Sequence, residues 1–212
     1  MHVSDLLTLM GHLSLGNDNV SNAEREIFLQ YLNLAHFELY QETASLNTDL
    51  WRARTLTTEE GETSVRLPNP PYIMQRVYDL THHRPLPRKS VVELLKLNPE
   101  NEGVGPPRFY YVIGSELQFY PIPTTTLTVK ILYIPQPVSF RQETLEDAIP
   151  YPLAYHPVLV DGALYYLFQD QSGFKNPLKM AEAKQRWKGG KSRLLSYLKG
   201  ATGLSLSTFS PL

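Results

Sequence analysis

The sequence predicts an α+β fold: a helical bundle formed by the N- and C-terminal helices, with an inserted antiparallel β domain that is sandwich or barrel-like. Three observations carry this. Apolar residues recur with a period near 3.6 up to about residue 48, near 2 from about Leu50 to Phe140, and near 3.6 again after Pro150. Prolines and glycines interrupt the middle stretch about every ten residues, as antiparallel strands require. With 212 residues, 42% of them hydrophobic and 19% charged, the chain is apolar enough to fold throughout and should bury roughly 70% of its unfolded surface. The predicted organisation is N-terminal helices over 1–48, the β domain over 49–145, C-terminal helices over 146–199 and an extended tail over 200–212.

Val3 to Leu9 predicts a short helix closed by Gly11, and Gly16-Asn17-Asp18-Asn19 is turn material. The next helix is the best marked in the chain. Ser21 followed by Glu24 forms a capping box, and the helix runs about 22 residues from there. Ile27, Tyr31, Ala35 and Leu39 make one i+4 row, and Phe28, Leu32 and Tyr40 make its neighbour. Glu24, Gln30, Asn33, Glu38 and Gln41 fall elsewhere.

In the middle, Leu50 to Thr57 and Glu62 to Leu67 read as strands flanking the turn Glu59-Glu60-Gly61, and Tyr72 to Leu80 as a third. Arg108 to Tyr120 reads as a hairpin about the two-residue loop Gly114-Ser115, whose leading glycine suits a type II′ turn. Pairing across that loop sets Val112 beside Leu117 and Tyr110 beside Phe119. In the strand Leu127 to Ile134, Leu127, Val129, Ile131 and Tyr133 face inward, with Thr128 and Lys130 outward. Ser90 with Glu93 predicts a short helix over Val91 to Leu97.

After Pro150 the strand signal ends. Pro157 suits a first helical position, where a missing amide is harmless, and Val158 to Phe168 is apolar almost all round, which predicts the most buried element. A last helix carries Met180, Ala183, Trp187, Gly190, Leu194 and Tyr197 at spacings of three and four, crossing Gly189-Gly190 in phase. It is read as one helix, although the pair costs about 2 kcal/mol of propensity.

The formal charge of −1 conceals a division. Residues 175–199 hold eight Lys/Arg against Glu182 alone, a local +7, while residues 1–174 hold 12 basic against 20 acidic residues, a local −8. Such asymmetry concerns surfaces and partners. The absence of cysteine excludes disulfides, thiolate metal sites and a cysteine nucleophile. There is no basic leader and no apolar run near the ~18–20 residues that span a bilayer, so neither a cleaved signal nor membrane insertion is expected.

No nucleophile elbow, zinc-protease helix, phosphate-binding loop or dinucleotide fingerprint is present. His82-His83 after Asp79 reads as a surface turn rather than a metal site, because adjacent strand side chains point to opposite faces. Asp161, early in an apolar helix, reads as a local structural carboxylate. A hydrolase using Asp79, His82 or Asp161 is the weakest alternative.

On a helical wheel Lys179, Arg186 and Arg193 flank one side of the last helix's apolar stripe, and Lys184, Lys188, Lys191 and Lys199 flank the other. That arrangement fits lysines snorkelling around an apolar seam, or a helix facing an acidic partner or passing nucleic acid, better than a sequence-specific DNA reader. A nucleic-acid-binding module using helix 175–199 is the alternative function. The tail GATGLSLSTFSPL has no charged side chain. Leu204, Leu206, Phe209 and Leu212 either stay unpacked or dock as an extended segment in a partner's groove.

The order of these elements resembles the head-to-tail adaptors (connector, head-completion proteins) of tailed bacteriophages. The likeness rests on VSNAEREIFLQYLNLAHFELYQ, with its Tyr31-Leu32-Asn33 and Leu39-Tyr40. It also rests on Leu132-Tyr133-Ile134-Pro135, followed by an acidic loop, Ile149-Pro150, Tyr155-His156 and an Ala-Leu-Tyr-Tyr helix. It spans about residues 3–199. The resemblance implies a structural virion protein with no enzymatic activity, catalytic residue, cofactor or metal. It implies a homo-oligomeric ring, a dodecamer, assembled in the host cytoplasm and placed at the head-tail junction. The ring would dock on the portal protein, extend the channel for passing double-stranded DNA and carry the tail (nozzle or tail-tube) proteins. Portal binding would map onto Leu204, Leu206, Phe209 and Leu212. The basic face would map onto Lys179, Lys184, Arg186, Lys188, Lys191 and Arg193.

Overall fold

The computed structural model describes residues 1–67, 70–97, 103–146, 148–170 and 173–202. It contains five helices and two antiparallel sheets, an α+β fold without a closed barrel. The chain divides into a helical unit, Met1–Asp49 with Pro137–Leu212, and a β unit, Leu50–Gln136.

In the helical unit, α1 spans Val3–Leu15 and α2 spans Asn22–Thr43. Gly11 does not end α1. It sits inside the helix because the following loop packs onto it: a Cβ there would lie 2.3 Å from Val20 Cγ2. Gly16 ends the helix instead, in the left-handed region at φ 68°, its amide bonded to the His12 carbonyl at 3.0 Å. The capping box of α2 forms as expected, with the Ser21 amide donating to Glu24 at 2.8 Å and the Glu24 amide to Ser21 Oγ at 3.4 Å.

Helix α4 covers His156–Gln169, one residue earlier than expected, with Pro157 inside its first turn and nine of its fourteen residues buried. Helix α5, Pro177–Thr202, passes unbroken through Gly189-Gly190 and runs three residues beyond the expected end at Lys199. Its buried line closes on Leu198. Tyr197 is exposed, because the true period of the helix falls between the two positions and rotates the tyrosine outward. The bundle core joins Leu6 and Met10 of α1, Phe28 and Leu32 of α2, Leu159 and Leu164 of α4, and Trp187 and Leu194 of α5.

In the β unit, β1 (Arg52–Thr58), β7 (Leu127–Pro135), β3 (Pro71–Asp79) and β4 (Arg84–Leu86) form one sheet in that order. The order β2 (Ser64–Arg66), β6 (Glu116–Tyr120), β5 (Phe109–Ile113) forms the other. The strands on either side of the Glu59-Glu60-Gly61 turn therefore enter different sheets. The predicted hairpin register is present, Val112 opposite Leu117 and Tyr110 opposite Phe119, with Gly114 at φ 58°. The inward face of β7 is Leu127, Val129, Ile131 and Tyr133, as the alternation required. The short helix α3, Val91–Leu97, is capped by Ser90 and Glu93.

Candidate functional site

The feature set apart by charge is α5, and its position is fixed residue by residue. Asn176 caps it: the side-chain carbonyl accepts the Lys179 amide at 3.0 Å, and Pro177 takes the first helical position. Two glycines then set how closely its neighbours approach. A Cβ on Gly190 would stand 2.7 Å from Val158 Cγ2, and one on Gly162 would stand 2.9 Å from both Ala35 Cβ and Trp187 Cε3. Gly162 thus lets α4 fit between Ala35 of α2 and the Trp187 indole of α5. Sequence reasoning took Gly190 only as a position on the stripe and a weak point of the helix. Its small size is what admits Val158.

The six basic residues expected on this helix divide into two groups. Three have partners within the protein. Lys179 Nζ reaches the carbonyl oxygens of Leu13 and Ser14 at 3.4 and 3.3 Å, the C-terminal end of α1 where a cation is favoured. Arg186 Nε donates to Asp161 Oδ1 at 2.7 Å. Asp161 therefore has the structural role expected of it, but through Arg186, since it lies beyond the first turn of α4.

Lys191 is more enclosed than Arg186, its side chain 15% exposed against 49%. Its ammonium is 2.5 Å from Glu38 Oε1 and 2.6 Å from Glu42 Oε1, and lies 5.0 Å from the centre of the Trp187 ring. Burial opposes the Lys191 charge, yet the two carboxylates outweigh it and raise the pKa above the usual lysine value. Burial likewise opposes the Glu38 charge, but bonds from Lys191 and Tyr166 hold this carboxyl below its ordinary range. The Tyr166 hydroxyl donates to the same Glu38. Sequence analysis missed this cluster, although Glu38 and Glu42, one turn apart on α2, are a signal that could have found it.

The other three basic residues face solvent. Lys184 sits 5.6 Å over the Tyr165 ring, and among the described residues Lys184, Lys188 and Arg193 have no ion-pair partner. In the last described turn of α5 the Thr202 hydroxyl donates to the Leu198 carbonyl at 2.9 Å. Leu204, Leu206, Phe209 and Leu212 follow directly and lie outside the described residues.

Asp79 is fully buried in the β unit, accepting the His82 amide at 3.0 Å and meeting His82 Nδ1 at 2.7 Å. This pairing closes the turn between β3 and β4, with His83 at φ 52°. The arrangement is that of a turn, as the sequence indicated. Among the described residues no group of three His, Asp or Glu side chains is placed to hold a metal ion, and no helix is long and apolar enough to cross a membrane.

The sequence matches the family described as SU10 adaptor protein over residues 1–206. No curated protein matches it. One solved structure, the neck of an empty GTA particle computed with C6 symmetry, contains a chain 16% identical to this one, aligned over 88% of each chain with a TM-score of 0.27. Because the family match runs through the helical unit, the β unit and the whole of α5, the chain belongs to the SU10 adaptor protein family, the head-to-tail adaptor class that its sequence resembles.

Proposed function

We propose that this protein is a non-enzymatic structural subunit of the head-tail connector. Its copies form a ring, a dodecamer, that docks on the portal protein, lengthens the DNA channel and offers a platform to the tail proteins. The observation that carries the reading is the family match across residues 1–206, which engages both units in the adaptor role. Two features of the molecule support it. Helix α5 is tied to the rest of the bundle through Lys179, Arg186 and Lys191, and the uncharged residues 203–212 follow it in the sequence. The helical unit also exposes large apolar side chains, Leu178 at 71% and Leu153 at 64% among them, which contacts with neighbouring copies would cover.

In this reading Leu204, Leu206, Phe209 and Leu212 dock on the portal as an extended segment, with the ordering cost met by burial on the partner. Lys184, Lys188 and Arg193, the cations without internal partners, face an acidic neighbour or passing DNA without sequence preference. The experiment is to mix the purified protein with its portal and examine the product by electron microscopy and native mass spectrometry. Rings of twelve copies seated on the portal are expected. The absence of any ring overturns the proposal. Tight duplex binding by the free monomer, lost on neutralising Lys184 and Lys188, would favour the nucleic-acid-binding module instead.

A further inference from the structure

The β unit carries two unpaired charged features of opposite sign. The first is a groove of about 580 Å³ on β3, β4 and the adjoining segment, lined by Val77, Leu86 and Tyr110 and by the more exposed Arg76, Tyr78 and Arg88. The carbonyl of Pro87 and the amide of Lys89 bond to Tyr110 at 3.0 and 2.9 Å, which ties this segment to β5 and fixes the groove wall. Tyr110 is buried, and its ring gives the groove an apolar base. Among the described residues neither Arg76 nor Arg88 has an ion-pair partner. The carboxylates on neighbouring segments are engaged, Asp79 with His82 and Glu93 with Lys89 at 3.6 Å.

The second feature is the turn Glu59-Glu60-Gly61-Glu62, three carboxylates in four exposed residues. None of the three is in an ion pair among the described residues. The turn is tied by its backbone: the Gly61 amide bonds to the Pro123 carbonyl at 2.9 Å, the Glu62 amide to the Glu59 carbonyl at 3.2 Å, and the Glu59 amide to Glu62 Oε2 at 3.0 Å, with Gly61 at φ 79°, a left-handed conformation open to glycine.

Topology places these features at opposite edges of the same unit. The turn leaves β1, the first strand of the four-stranded sheet, and enters β2, the first strand of the three-stranded sheet. The groove is built on β3 and β4 at the far side of the former and on Tyr110 of β5 at the far side of the latter. A chain with an acidic projection on one edge and a basic recess on the other cannot satisfy itself, but it can satisfy the next copy. Repeated contacts of this head-to-tail kind are heterologous, and they close into rings where the rotation between successive copies closes.

We infer that the Arg76–Arg88 groove of one copy receives the Glu59-Glu60-Glu62 turn of a second copy, making the β unit a subunit-to-subunit contact. This rests on the ring reading above and supplies it with a specific interface. Complementary charge gives such a contact register and selectivity, and makes it sensitive to salt.

The absence of native cysteine allows a direct test. Full-length T63C, beside the turn, and full-length Y78C, in the groove, are mixed in equal amounts at low salt and oxidised. The mixed disulfide dimer should exceed either homodimer by roughly tenfold. Adding R76E and R88E to the Y78C chain should remove that excess, and placing E59K, E60K and E62K on the T63C chain should then restore it, which excludes misfolding as the cause of the loss. A mixed dimer at no more than the twofold ratio to each homodimer that random pairing gives, or one indifferent to R76E and R88E, overturns the inference. The ring reading is judged separately: wild-type rings on the portal with an unlinked T63C/Y78C pair would dismiss this interface and keep the ring, while no wild-type ring would dismiss the ring itself.

Discussion

Single residues decide two properties of the helical unit. His36 is 1% exposed and enclosed by aromatic rings, with Phe140 at 4.6 Å and Tyr151 at 5.8 Å between ring centres. Burial penalises its imidazolium and lowers the pKa to about 4, against a weaker opposing backbone hydrogen bond to Val138. A histidine with a depressed folded pKa stabilises the fold fully above its unfolded pKa near 6.5, and that stabilisation is lost as the pH falls toward 4 because the unfolded chain takes the proton first. His156 is shifted in the same direction, also chiefly by burial. Urea unfolding should therefore show roughly 2 kcal/mol less stability at pH 4.5 than at pH 7 from His36 alone. In His36→Gln, which cannot titrate, that part of the acid loss should disappear. An equal pH slope in both proteins would refute the assignment. Adjacent glycines of α5 should respond with opposite signs. Gly190→Ala drives a methyl to within 2.7 Å of Val158 and should cost about 1–3 kcal/mol. Gly189→Ala meets only the flexible Arg193 end at 3.6 Å and should gain up to ~1 kcal/mol of helix propensity. Thermal melts of the two variants check both.

Among elements, helices signalled by local chemistry were legible in the sequence, and contacts made over distance were not. The Ser21–Glu24 and Ser90–Glu93 caps each lie within four residues, so their reading needs no knowledge of the fold. The same holds for the Gly114-Ser115 hairpin, whose partners follow from its loop. Gly11 misled because a glycine that ends a helix and a glycine that admits a neighbour look alike in sequence. Val20, nine positions away, decides which it is. The pairing of β1 with β7 sets Arg52 against Tyr133, and no local rule connects residues so far apart. The basic helix was legible as a charge run, but the partition of that charge was not, since Glu38 and Glu42 come from α2. That partition predicts the behaviour of the helix. Lys191→Met should destabilise the protein by about 1 kcal/mol, and a double-mutant cycle with Glu38→Gln should show coupling of similar size. Lys188→Met, at an exposed position without an ion pair, should fall within ~0.5 kcal/mol of wild type. Denaturant midpoints of wild type and the four variants separate structural from free cations.

At the scale of the whole molecule, the division of charge acquires a structural meaning. Part of the +7 on residues 175–199 is neutralised within the chain by Asp161, Glu38 and Glu42, and what remains outward is carried by residues such as Lys184, Lys188 and Arg193. The acidic body retains carboxylates at its surface, the Glu59–Glu62 turn among them. A protein so arranged has a net charge near zero yet strong local fields, which favours association between copies over binding to DNA, whose phosphates the body repels. The chain end completes the design of an assembly subunit. The Thr202 hydroxyl bonds back to the carbonyls of Leu198 and Lys199 within α5, and the uncharged segment follows it in the sequence. Deleting residues 203–212 should leave the melting temperature within about 2 °C of wild type, because Leu204, Leu206, Phe209 and Leu212 are too few to build a core of their own. The same deletion should abolish seating on the portal, since the segment's apolar side chains, Leu204, Leu206, Phe209 and Leu212, would be gone. Melting by circular dichroism and portal binding by sedimentation read the two effects independently. A large fall in melting temperature would place the segment in the core, and undiminished portal binding would move the docking surface elsewhere on the chain.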